Sequence, residues 1–257
     1  MNRYLVVAKA ITTKSVTLSR RYAVNTAINF LTLYVFFALI FVGGRFIAPE
    51  LLEQSLGPLV VGYFLVTMAV AAYADLTHDL TDEAQWGTLE QLSMSPIGFT
   101  WVVVIKTVVN LAGTFLMGVV LLALMIVTTG VSLSIPPFTI AVVGGLTLVP
   151  VVGLGFLFGG GALLFKQLGK VFSLVQLSFF GLLALPVQDV PALKFLPLAL
   201  GSHLLREVTV DRVALWDLPL VDIGILGLTA AGYATLGLIV FQFAASKARE
   251  RGELGHY

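Results

Sequence analysis

The 257 residues are 58% hydrophobic and only 11% charged, with a mean hydropathy of +0.98 and a net charge of +1. A soluble domain carries about a quarter charged residues, so this chain cannot cover a water-exposed surface; a soluble protein is excluded and a nucleic-acid partner is not expected. It has no cysteine, which removes disulfides and thiolate metal sites.

Residues 1–22 lack the continuous apolar core and small-residue cleavage site of a signal peptide. Tyr4, Ala8, Ile11, Ser15, Leu18 and Tyr22 recur at spacings of four and three, which places them on one helical face. Lys9, Lys14, Arg20 and Arg21 fall mostly off that face. The pattern predicts a basic amphipathic helix in the membrane interface, apolar side down and cations toward anionic headgroups. A plain topogenic anchor is an equally simple role for it.

A spanning helix needs about 20 apolar residues, because only a helix satisfies its own backbone in hydrocarbon. Six segments qualify: Ala23–Gly43, Leu59–Leu76, Trp101–Thr129, Phe138–Leu164, Val171–Leu185 and Leu220–Ala244. The expected fold is therefore an all-α polytopic membrane protein forming one transmembrane domain over residues 1–257. The fifth segment is the weakest, ended by Pro186, and a dip without crossing is its alternative. With six crossings, Arg3, Lys9, Lys14, Arg20, Arg21, Lys166, Lys170, Lys247, Arg249 and Arg251 share one side, against Arg45, Lys194, Arg206 and Arg212 on the other. The positive-inside rule then makes both termini cytoplasmic. Trp101 and Trp216 stand at span edges, as an aromatic belt would place them.

Small residues recur four apart at Gly155 and Gly159 and at Gly227 and Ala231, a spacing that lets helices approach closely in lipid. Residues 186–219 are too broken by proline to cross, yet too apolar for a free loop. They read as two short, partly embedded helices meeting near Pro197 on the external side, with Gly201, His203 and Arg206 in the second. Such backbone is tolerated where protein or a cavity shelters it. A surface cap and a piece of an exit gate both fit.

Several chemistries have no motif. His78, His203 and His256 lack HExxH spacing, and Gly201–His203 reads as a helix fragment rather than a Ser/His pair. The only Gly-Lys step, Gly169–Lys170, has Leu164 where a P-loop needs glycine and is followed by Val171. The chain is therefore not expected to be an enzyme on its own, or to bind a cofactor directly. Lys106 lies within a span but close enough to its end to snorkel; Asp75 and Asp222 lie at span ends and read as solvated. The absence of mid-span carboxylates argues against ion-coupled transport.

The stretch "DLTDEAQWGTLEQLSMSP" interrupts the apolar pattern between the second and third spans. Asp79 or Thr81 reads as the cap of a short cytoplasmic helix, with Asp82 and Glu83 in its first turn. Trp86, Leu89 and Leu92, or Gln85, Leu89 and Leu92, give a narrow apolar stripe, and Pro96 ends the helix with Ser95 before it pushed to extended geometry. A Trp/Leu stripe flanked by acids suits another protein's groove; an interfacial helix, which anionic headgroups would repel, is the competing reading.

These residues resemble a known family. Gly87, Thr88, Leu89, Glu90, Leu92, Ser95 and Pro96, followed by Lys106, are similar to the motif after the second span of type-2 ATP-binding-cassette (ABC) transporter permeases. The layout of amphipathic helix, six spans and an external re-entrant segment before the last span is similar too. The chain departs from that family in carrying Thr81-Asp82-Glu83 where a basic residue is common and Gly201-Ser202 where asparagine-proline is common. The resemblance implies a permease half of an exporter in the cell membrane. It would pair with a second copy or paralogue, and ATP with Mg²⁺ would bind a separate nucleotide-binding subunit. Residues 78–96 would be the coupling helix region, docking through Asp82, Glu83, Trp86 and the motif residues. A membrane scaffold using the same docking helix, without transport, is the rival. Span walls of Leu, Val, Phe and Gly favour a lipid-like cargo over a small ion.

Overall fold

The computed structural model describes residues 3–85, 95, 97–164 and 169–250, and among them there are helices and no strand. The long elements are α1 (Arg3–Arg21), α2 (Ala23–Ile47), α3 (Pro49–Gln85), α4 (Phe99–Thr129), α5 (Gly145–Leu164), α6 (Gly169–Leu183), α7 (Ala199–Thr209) and α8 (Leu220–Glu250). A single turn at Pro137–Thr139 and a π-helical turn at Ile140–Gly144 lead into α5.

Five helices are long and apolar enough to cross a membrane: α2, α3, α4, α5 with its leading turns, and α8. The chain is a multi-pass membrane protein. The expected span not among them is the fifth, which corresponds to α6, whose 15 residues rise about 22 Å against a hydrocarbon thickness of roughly 30 Å.

The largest departure from expectation is α3. Its apolar part was expected to stop at Leu76 and a new helix to start at Asp79 or Thr81, yet one helix runs through to Gln85. No glycine or proline interrupts residues 63–85. The Thr67 and Thr77 hydroxyls fold back onto the carbonyls of Tyr63 and Tyr73 at 2.6 and 3.0 Å, so neither competes with the helix. The Asp79 carboxylate is engaged by α4 and does not cap a backbone turn.

α3 is the centre of the bundle, packing on α4, α5, α6 and α7. Phe64, Leu65, Met68, Ala69 and Tyr73 on it are all buried. Phe64 and Met68 close over Gly118 of α4, where any side chain would collide with the Met68 sulfur. α5 and α8 meet backbone to backbone: a Cβ at Gly237 would run into the Gly153 carbonyl, and one at Gly153 into the Tyr233 carbonyl. Expectation had paired Gly155 with Gly159 and Gly227 with Ala231 as contact faces. Gly155 does permit a close approach, to α3, where a Cβ would lie 2.9 Å from Leu76, whereas Gly227 has open space around it. Helix rotation decides this, and glycine spacing alone does not encode it.

α2 buries only Phe37, which sits against Phe41 and Tyr63, while the Tyr63 hydroxyl donates to the Leu33 carbonyl at 2.6 Å. Phe30, Tyr34 and Phe41 pack partly buried against the core, while most of its other apolar side chains are exposed, as for a lipid-facing span. Tyr22 separates α1 from α2, its ψ of 30° breaking the helical path. α1 packs on α4 through half-buried Ala8, Ile11 and Ser15, part of the predicted apolar face, and Tyr4 meets Trp101 edge-on at 5.8 Å. Leu18 and Tyr22 of that face remain exposed.

Candidate functional site

Two helices carry facing polar residues at a four-residue period, Asp75 and Asp79 on α3 and Lys106, Asn110 and Thr114 on α4. A four-residue period keeps side chains on one face, so the two rows meet along the α3–α4 seam. Lys106 Nζ lies 3.2 Å from Asp79 Oδ2, to which Asn110 also donates at 3.0 Å. The Thr114 hydroxyl donates to Asp75 at 3.1 Å. Ala72, Leu76, Val103, Thr107 and Leu111 complete a small cleft around them. Lys106 and Asp79 are about a quarter and a third exposed, so the pair contributes no more than about 1 kcal/mol. Its effect is positional: it ties the emerging end of α3 to α4 just before the acidic stretch begins.

The backbone at Asp82 and Glu83 belongs to the last turns of α3. Trp86, Gly87, Thr88, Leu89, Glu90, Leu92 and Pro96 lie outside the described residues, and Ser95 is half-buried just before α4. Lys9, Lys14, Arg20 and Arg21 are all exposed on α1, away from its contact with α4.

On the opposite side of the bundle, a 3₁₀ turn at Pro191–Phe195 and α7 flank Pro197. Leu198 between them adopts a left-handed φ of 67° while its side chain is buried. That conformation is costly for a leucine, and burial of the side chain offsets it. α7 is among the most buried elements, with Ala199, Leu200, Gly201, Ser202, Leu204, Leu205, Val208 and Thr209 all inside. Gly201 lies directly on the Thr147 hydroxyl of α5, leaving no room for a Cβ. Ser202 donates to the Ala199 carbonyl at 2.9 Å, while His203 faces Gln188 at 3.1 Å and Glu207 at 3.3 Å, so serine and histidine do not form a pair.

Arg206 reaches back from α7 to donate through Nη2 to the Leu183 carbonyl at 3.1 Å. Leu183 is the last residue of α6, where helix carbonyls lack intrahelical donors and a cation is favoured. The guanidinium thus caps a helix end in an apolar setting, and burial holds its pKa below the ordinary value.

Asp222, expected to be solvated, is instead buried in the first turn of α8, 2.6 Å from Lys194. Lys194 thus stands opposite Asp222 at the start of α8, where the helix dipole attracts a negative charge. Sequence reasoning did not pair these two, since 28 positions separate them. Asn110 and Thr114 were also missed, although their period with Lys106 was available.

No family model matches the chain, and neither does any curated protein or solved structure.

Its own geometry is therefore the guide to function. Two polar clusters stand at opposite ends of the bundle, joined by the central helix α3, and among the described residues no group of His, Asp and Glu could hold a metal ion.

Proposed function

We propose that the chain is the membrane-spanning subunit of an ATP-driven exporter similar to the type-2 ABC permeases. In this reading it pairs with a second copy or a paralogue in the cell membrane and takes its ATPase from a separate subunit. Both termini are cytoplasmic, and α6 completes the fifth of six crossings together with the residues around it. α1 is the interfacial helix, and residues 186–219 form the external, partly embedded segment.

The observation that carries the proposal is the continuity of α3. One helix runs from the middle of the core, at Tyr73, to Gln85, the residue before "WGTLEQLSMSP". Force applied to Trp86–Leu92 therefore reaches the core through a rigid rod rather than a loop. Asp79, Lys106 and Asn110 make α4 follow it. A motor subunit docked on the acidic stretch would move both helices together.

The test is affinity purification of the full chain from its native membrane in mild detergent. The proposal expects an ATP-binding subunit with a P-loop at one copy per copy of this chain. A chain that purifies without such a subunit, across detergents that keep it folded, contradicts it.

A further inference from the structure

Among the described residues, two buried side-chain polar atoms have no hydrogen-bond partner, Tyr73 Oη and Arg206 Nε. Orphaned buried groups are rare in folded proteins and each requires a reason. These two lie at different places in the fold, one on α3 and one on α7, yet both lie against α6. The Tyr73 ring meets Phe172 and Phe179 of α6 edge-on at 6.3 and 5.6 Å. Arg206 holds the end of the same helix through Leu183.

α6 is attached on one side only. It packs on α3 and α7, while Leu174, Leu177 and Phe180 point outward and more than half exposed. Its Gly169 and Gly181 have open space around them. Nothing in it resembles the interlocked backbones of α5 and α8. Its inner face is held by Phe172, Phe179 and Leu183, buried in the core, and by one guanidinium bond at its end, and the surface beneath it contains two polar atoms that its present position leaves unsatisfied.

We propose that α6 is a movable cover with a second position, in which Tyr73 and Arg206 are uncovered as successive donor stations for an amphiphile with an anionic oxygen headgroup. The Tyr73 hydroxyl can donate or accept and Arg206 Nε can only donate, so an acceptor is the one group that suits both, and charge on Arg206 selects an anion. Phe158 on α5, edge-on to Tyr73 at 6.3 Å, together with the faces that Phe172 and Phe179 leave, would form the wall for the apolar body. The transport direction rests on the exporter reading; the cover and its stations do not.

The test uses the full chain in phosphatidylcholine vesicles, which contain no net anionic lipid, without any ATPase subunit, so its outcome is independent of the exporter reading. The chain has no cysteine, so single thiols report cleanly. Leu183→Cys on α6, 8% exposed, is compared with Val102→Cys on α4, 7% exposed. The cover predicts maleimide labelling at Leu183→Cys about tenfold faster, because the exposed state lies at low free energy. Adding Tyr73→Phe removes an orphan donor from the covered position only; it should slow that labelling severalfold and raise Tm. Oleate should accelerate labelling and oleylamine should not, and Arg206→Gln should abolish the difference. Equal labelling at the two thiols, an unchanged rate or lower Tm with Tyr73→Phe, or the same response to oleate and oleylamine would overturn the proposal.

Discussion

Asp79 on α3 lies 3.2 Å from Lys106 on α4, and its same oxygen accepts from Asn110 at 3.0 Å. This contact sits where α3 leaves the bundle, and it couples two helices that otherwise separate into an acidic stretch and a span. Because the pair is partly exposed, its thermodynamic weight is small and its role is to hold a direction. Asp79→Leu and Lys106→Met should each lower stability by about 1 kcal/mol or less, with a coupling of about 0.5 kcal/mol in the double-mutant cycle. Thermal unfolding of the four proteins in one detergent measures it. Strict additivity would remove the contact from the account.

Gly237 and Gly153 make a sharper prediction. Gly237→Val places a branched side chain into a carbonyl of the facing helix, and such overpacking costs about 3 kcal/mol or more where backbone cannot yield. Loss of monodisperse protein in size-exclusion chromatography is the expected outcome. Gly227→Ala enters open space and should change stability by no more than about 0.5 kcal/mol.

Lys194 and Asp222 form an ion pair at 2.6 Å, both mostly buried. Removing one partner strands the other charge, so Lys194→Met or Asp222→Leu should each cost about 3 kcal/mol. The double variant should recover much of that loss, since two apolar residues leave no uncompensated charge. Unfolding midpoints of the single and double variants decide it.

Arg206→Met leaves the end of α6 without its donor, an expected loss of about 1–2 kcal/mol. Hydrogen exchange should rise over α6 and remain unchanged over α5 and α8. A uniform rise across the chain would mean that Arg206 supports the whole bundle.

Much of the fold was legible because lipid imposes a simple condition on sequence. A run such as Trp101–Thr129 is read by length and apolarity alone, and α4 fills nearly the same residues. The Pro-broken segment around Pro197 was correctly too apolar to be a free loop, and α7 is buried accordingly. What escaped depends on partners distant in sequence. Asp79 looked like a cap because its own neighbours suit a helix start; Lys106 and Asn110, on another helix, make it part of a continuous α3. Asp222 looked solvated until Lys194 was brought beside it. Glycine spacing announced close packing, but the rotation of α5 and α8 chose Gly153, Gly160 and Gly237 as the residues that touch. At the candidate site, the acidic stretch was visible by composition, whereas the α3–α4 seam that anchors it was not.

In the proposed exporter, α3 transmits the action of an ATPase docked at the acidic stretch. ATP turnover by the reconstituted complex, compared between the parent chain and the Trp86→Asp/Leu89→Asp variant, tests it most directly. The variant should still fold and insert but lose the ATPase subunit, and with it the turnover of the complex. A variant that keeps the subunit and hydrolyses ATP at the parent rate would contradict it.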